Sequence, residues 1–125
     1  MIAMIRIELF PHDLTAVIDF YVRALGFQLE RDERTSKVPY ATLRRDGIRI
    51  GLRQADQEVD PACRQVPQGT EIVFEVADLH RERARILSAG YLLADDLQTR
   101  SWGLEDLRLF DPAGYYLRLT TYPSR

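Results

Sequence analysis

With 125 residues, of which 46% are apolar and 29% charged, the chain has the composition of one globular domain or of two small halves that share a core. Its net charge of −2 provides no basic surface for nucleic acid or anionic membranes. A lone cysteine, Cys63, excludes an internal disulfide, and no apolar run is as long as a signal peptide or a membrane span. We therefore expect a cytoplasmic protein with neither a nucleic-acid nor a membrane partner.

The first half of the chain has the pattern of a strand, a helix and three further strands. Apolar and polar residues alternate over 5–9, which predicts a half-buried strand. Helical spacing of apolar residues predicts an amphipathic helix over 13–25, with Gly26 as its end. A second strand follows over 27–30, and a hairpin over 40–53.

The second half repeats this order after a polar connector at 55–68. It has a predicted strand over 71–76, a helix over 79–89 and a short strand over 91–93. A final hairpin turns at residues 111–114, where Asp-Pro-Ala-Gly is typical of a tight turn.

The two halves match each other in their helix ends and hairpin turns. Asp13 and Gly26 bracket the first helix as Asp78 and Gly90 bracket the second. The fold class predicted from this match is α+β, with two βαβββ modules. They would form a curved eight-stranded mixed sheet with its helices on the outside.

A half of about 60 residues buries too little surface to be stable alone. We therefore predict a single domain over 1–125. Module one would span about 1–55, the linker about 56–68 and module two about 69–125.

Strand alternation assigns side chains to the two faces of the sheet. The apolar series is expected to face the helices. The other series then forms a charged cleft, which holds a ligand or an internal ion-pair network because isolated charges are costly to bury. The members of the apolar series are Ile5, Ile7, Leu9, Ile48, Ile50, Leu52, Ile72, Phe74, Val76, Tyr115, Leu117 and Leu119.

Short motifs occur in the same order along both halves. They are Asp13-Leu14, Ile18-Asp19-Phe20-Tyr21, Ala24-Leu25-Gly26-Phe27, Val76-Ala77-Asp78-Leu79, Gly90-Tyr91 and Asp111-Pro112-Ala113-Gly114-Tyr115. This arrangement resembles the vicinal oxygen chelate superfamily, which includes glyoxalase I, extradiol dioxygenases, and the bleomycin and fosfomycin resistance proteins. The resemblance implies the fold predicted above, a small-molecule ligand and a homodimer.

The resemblance also implies where a divalent metal would bind in the enzymes of this superfamily. The four ligand positions fall on Arg6, Gly51, Glu71 and Arg118. Of these four residues only Glu71 has a side chain able to coordinate a metal, since arginine stays protonated and glycine has no side chain. We therefore predict no metal and no other cofactor. A site rebuilt from Glu8, Glu71 and Glu75 is the alternative.

The predicted function is metal-free binding of a small anionic or planar ligand, of the bleomycin-resistance-like type. Arginine can hold a carboxylate or phosphate with two hydrogen bonds, and the Trp102-Gly103 pair resembles one that lines the ligand groove in resistance-type members. Bleomycin itself is cationic and would favour an acidic groove. The predicted ligand-binding residues are Arg6, Glu8, Arg49, Glu71, Trp102, Tyr116 and Arg118.

Three alternatives remain open, and enzymatic activity is undecided. The chain could be a glyoxalase-like lyase or isomerase, or a dioxygenase, that depends on a metal. It could instead catalyse a metal-free reaction with Glu71 as the catalytic general base. A third alternative is a structural dimer module, in which Arg–Glu pairs fill the cleft and Trp102 packs over a strand.

Overall fold

The computed structural model describes residues 2–64 and 67–122, and the chain divides into two compact units, Met1–Val59 and Asp60–Arg125. These units are called module one and module two below. The division falls inside the predicted linker. In the described part of the chain, no helix combines the length and the apolar character needed to cross a membrane.

Module one contains a four-stranded mixed sheet and one helix. The sheet has the order β1-β4-β3-β2, with β1 parallel to β4 and the other neighbours antiparallel. Its elements are β1 (Arg6–Leu9), α1 (Leu14–Arg23), β2 (Gln28–Glu33), β3 (Tyr40–Arg45) and β4 (Ile48–Arg53).

Module two repeats this topology in the order β5-β8-β7-β6, again with one parallel pair, β5 and β8. A short 3-10 helix, Pro61–Arg64, precedes it. Its elements are β5 (Ile72–Val76), α2 (Leu79–Ser88), β6 (Asp95–Thr99), β7 (Glu105–Phe110) and β8 (Tyr116–Thr121). The predicted α+β class and the two βαβββ modules are confirmed, and the eight strands pair as two sheets of four.

Each helix begins at an aspartate that caps it. The Asp13 carboxylate accepts a hydrogen bond from the Ala16 backbone N–H at 3.0 Å, and Asp78 accepts one from the Arg81 N–H at 3.1 Å. Helix α1 lies against β2 and β3, and α2 lies against β7 and β8. Apolar side chains from one face of each helix are buried in these contacts, which fixes which face of each sheet is left for polar side chains.

Strand alternation places the apolar series as predicted. Ile50, Leu52, Leu117 and Leu119 are at most 1% exposed. Ile7, Ile48, Ile72 and Tyr115 are only half-buried, and Ile5, which precedes β1, is 80% exposed. The pairing of β1 with β4 begins at Arg6, so Ile5 has no partner on the sheet.

The sixth strand is not where the sequence pattern predicts it. The pattern predicts a strand over 91–93 and a loop after it, but β6 is Asp95–Thr99. Its acidic residues are paired: Asp95 accepts from Arg100 Nη2 at 2.6 Å, and Asp96 accepts from Arg83 Nε at 2.7 Å. The hydrogen bonds from Arg83 and from the Leu97 N–H lower the pKa of Asp96 to about 2. Residues of this kind have poor β propensity, and both acidic side chains are paired with arginines outside the strand. Strand β2 also extends to Glu33, beyond the predicted end.

The turn between β7 and β8 tolerates no side chain at Gly114. Its φ is 91°, and an added Cβ would contact the Pro61 backbone, 2.6 Å from Cα. We expect Gly114→Ala to lower the free energy of unfolding by at least about 2 kcal/mol, from backbone strain and overpacking together. Urea unfolding followed by circular dichroism measures this change.

Gly47→Ala is the matched control, because Gly47 occupies the corresponding hairpin turn of module one and an added Cβ there meets nothing within 4 Å. If both substitutions lowered the free energy of unfolding equally, close packing at Gly114 would not be the cause.

Candidate functional site

The predicted ligand-binding residues lie on or beside the sheet faces that do not carry the helices. In module one, Arg6 and Glu8 belong to β1, and Arg49 belongs to β4. In module two, Tyr116 and Arg118 belong to β8. Glu71 immediately precedes β5, and Trp102 lies in the turn that leads into β7. Each module therefore gathers its own share of the predicted residues.

Glu8 is the centre of a hydrogen-bonded cluster in module one. Its Oε1 accepts from Arg6 Nε at 2.6 Å and from the Tyr40 hydroxyl at 2.8 Å. An added Cβ on Gly51 would contact the Glu8 carboxylate, 2.6 Å from its Cδ, and the Tyr40 hydroxyl. Burial, and then the hydrogen bond to Glu8, raise the pKa of Tyr40 above its ordinary value, so that this phenol remains a donor.

Arg49 has a weaker partner than Arg6. Its Nη2 lies 3.4 Å from Glu30 Oε2, and its side chain is 30% exposed. Glu30 is the extra residue at the irregular register of β2, between Leu29 and Arg31. The Nε of Arg49 is buried and has no acceptor.

Arg118 is the centre of the predicted site in module two. Its Nη2 lies 3.2 Å from Glu71 Oε1, and its guanidinium carbon lies 5.9 Å from the centroid of the Trp102 ring. The indole is 56% exposed, so it has a free surface. The structure thus places Glu71 and Trp102 on either hand of Arg118.

Tyr116 belongs to a second cluster that the sequence analysis missed. Arg108, directly opposite Arg118 on β7, donates to the Tyr116 hydroxyl at 3.0 Å and to Asp106 at 3.3 Å. Asp106 is 1% exposed and also accepts from Arg100 at 2.8 Å. Leu107 and Leu109 belong to the buried face, so alternation on β7 could have assigned Asp106 and Arg108 to the polar one.

The residues at the metal positions implied by the family do not fit a divalent cation. In module one, Arg6 is a cation and the space beside Gly51 is filled by Glu8 and Tyr40. In module two, Glu71 is paired with the guanidinium of Arg118. Within residues 2–64 and 67–122, no group of three or more His, Cys, Asp or Glu side chains is placed to hold a metal ion. Such an ion needs several oxygen or nitrogen donors in one place.

Comparison with solved structures supports the fold over nearly the whole chain. TioX from Micromonospora sp. ML1 is 22% identical with a TM-score of 0.78, covering 97% of this chain and 99% of that protein. The bleomycin resistance determinant encoded on the transposon Tn5 is 19% identical with a TM-score of 0.78, covering 98% and 100%. A virulence protein from Salmonella typhimurium, STM3117, is 23% identical with a TM-score of 0.69, covering 98% and 99%. At these identities the similarity establishes the fold alone.

A comparison of sequences identifies the family. No curated protein sequence matches the chain. The family model described as the Glyoxalase/Bleomycin resistance protein/Dioxygenase superfamily matches residues 3–119. The chain belongs to the glyoxalase/bleomycin resistance protein/dioxygenase superfamily.

Proposed function

We propose that this protein binds a small planar anion without the help of a metal ion. The observation that carries the proposal is the Arg118 guanidinium, which lies beside the exposed Trp102 ring and keeps a buried Nε without an acceptor. A flat carboxylate fits both groups, because its ring stacks on the indole and its oxygens accept from the guanidinium.

The other predicted residues complete the proposal. Tyr116 is held by Arg108 and lies edge-on to Phe110, with ring centroids 5.5 Å apart. In module one, Arg6, Glu8 and Arg49 present charge on the corresponding sheet face. We assign these residues to ligand binding as well. The arginines favour an anion over a cationic drug such as bleomycin.

The proposal includes a cytoplasmic homodimer. Its support is the exposed free thiol of Cys63, which suits a reducing compartment. The exposed side chains of Ile2, Met4 and Ile5, 55 to 88% accessible, form an apolar segment that a second copy could cover.

Arg118 is expected to bind the carboxylate of a planar ligand. Benzoate and 2-naphthoate should quench the fluorescence of Trp102, the single tryptophan of the chain. Arg118→Gln should weaken their binding by about ten- to a hundredfold, the value of a charged hydrogen bond. Arg81→Gln removes the same charge from an exposed position on α2 and should leave the affinity unchanged. Equal affinities in wild type and Arg118→Gln would refute the assignment.

Glu71 distinguishes a binding protein from an enzyme. If the only role of Glu71 is to pair with Arg118, its carboxylate competes with the ligand for that guanidinium. Glu71→Gln should then tighten benzoate binding several-fold. If Glu71 is a catalytic general base, the same variant should lose turnover. Weaker benzoate binding in Glu71→Gln would contradict the competition, and turnover lost with Glu71 would establish an enzyme.

Metal content tests the metal-free part of the proposal. Protein purified without chelators or a metal-affinity tag should contain far less than one equivalent of zinc, nickel, iron or manganese, because the donors at the family's positions are guanidinium groups or already paired. Elemental mass spectrometry measures this. About one equivalent per chain would instead favour the metal-dependent lyase or dioxygenase.

A further inference from the structure

Three arginines of module one stand side by side on its polar sheet face. Arg6 on β1 is opposite Arg49 on β4, which is opposite Arg44 on β3. We call these three residues the arginine row. Neighbouring strands lie about 4.8 Å apart, so the three side chains leave the sheet close together. Like charges directly opposite each other destabilise a sheet, and the row therefore needs anions near it.

The anions available within the module are incomplete. Arg6 is matched by Glu8 at 2.6 Å. Arg44 and Arg49 share one carboxylate, Glu30, at 3.9 and 3.4 Å. Both distances exceed the roughly 2.7–2.9 Å of a good charge-assisted hydrogen bond. Two guanidinium groups therefore face one loosely held carboxylate.

A donor in the row also lacks an acceptor. Across residues 2–64 and 67–122, three buried side-chain atoms have no hydrogen-bond partner, and all three are Nε atoms of arginines in cross-strand arginine pairs. One is in Arg49, and the other two are in Arg108 and Arg118. Unsatisfied buried donors are rare in native proteins, and an ordered water or another acceptor outside the chain ordinarily matches them.

The row is open to such a partner. The side chains of Arg6, Arg49 and Arg44 are 48%, 30% and 47% exposed, so their guanidinium groups can be reached by a small molecule. An oxyanion with several acceptor atoms and about two charges near pH 7 would satisfy two planar donor groups at once.

We propose that the arginine row binds the phosphate group of a small metabolite, with its oxygens between Arg49 and Arg44 and with Arg6 adding positive charge. This inference rests on the proposed function only in taking Arg6 and Arg49 as ligand-binding residues. It adds Arg44 and names the chemical group that is bound. Glu30 competes with that group for Arg44 and Arg49.

A phosphate titration of the full chain tests the proposal directly. Inorganic phosphate is added to ¹⁵N-labelled protein at constant ionic strength, and the arginine Nε–H resonances are followed by NMR. We expect a saturable shift at Arg49. Arg49→Gln should raise the Kd at least about tenfold, and Glu30→Gln should lower it several-fold.

Arg23→Gln is the matched control, because it removes one arginine charge from α1, where Arg23 pairs with Asp19 at 3.1 Å. Its Kd should equal that of the wild type. Equal losses in Arg23→Gln and Arg49→Gln, or shifts that do not saturate, would show general screening and overturn the proposal. If Arg49→Gln does not fold, Arg44→Gln at the more exposed position takes its place.

The same titration separates this inference from the proposed function. Saturable phosphate shifts confined to Arg108 and Arg118 would refute phosphate binding by the arginine row. They would leave the proposed site at Arg118 and Trp102 intact. Loss of benzoate binding in Arg118→Gln with unchanged phosphate binding would support two separate sites. Glycerol 3-phosphate should bind the row more tightly than succinate, and the reverse order would overturn the phosphate assignment in favour of a carboxylate.

Discussion

Charge balance among arginines is the constraint on which the polar faces of both sheets depend. In each module two arginines stand opposite each other on neighbouring central strands, Arg44 with Arg49 and Arg108 with Arg118. Such an arrangement is stable only when carboxylates lie close by. In module two each arginine has its own carboxylate, Asp106 for Arg108 at 3.3 Å and Glu71 for Arg118 at 3.2 Å. In module one, Arg44 and Arg49 share Glu30.

The same charges explain why the family's metal positions do not fit a metal here. A cation held by carboxylate and imidazole ligands would pull strands together from the polar side. In this chain the Arg6–Glu8–Tyr40 cluster and the Arg118–Glu71 pair make such links within each module. The Arg6–Glu8–Tyr40 cluster requires a glycine at position 51, because any larger residue would displace the side chains of Glu8 and Tyr40. Guanidinium groups therefore stand at two of the positions where the family resemblance implies metal ligands, Arg6 and Arg118.

Local chemistry made much of the fold predictable. Asp13 and Asp78 cap their helices as their sequence positions indicate, and the apolar alternation of β4 and β8 is reproduced in their burial. The position of β6 was not predictable, because its residues are polar and its place depends on Arg83 and Arg100, which are outside the strand. In the candidate site, Glu71, Trp102 and Arg118 follow from motif positions. Arg108 was missed because its importance comes from the residue opposite it on another strand.

The turn that carries Trp102 is anchored at both ends. The Gly103 N–H donates to the Arg100 carbonyl, the Arg100 N–H donates to the Leu104 carbonyl, and the Arg100 guanidinium is held by Asp95 and by the buried Asp106. Much of the conformational entropy of this turn is therefore already lost on folding. A ligand that stacks on the indole, as proposed, would meet a turn whose backbone is already ordered, so its association would not need to order this loop.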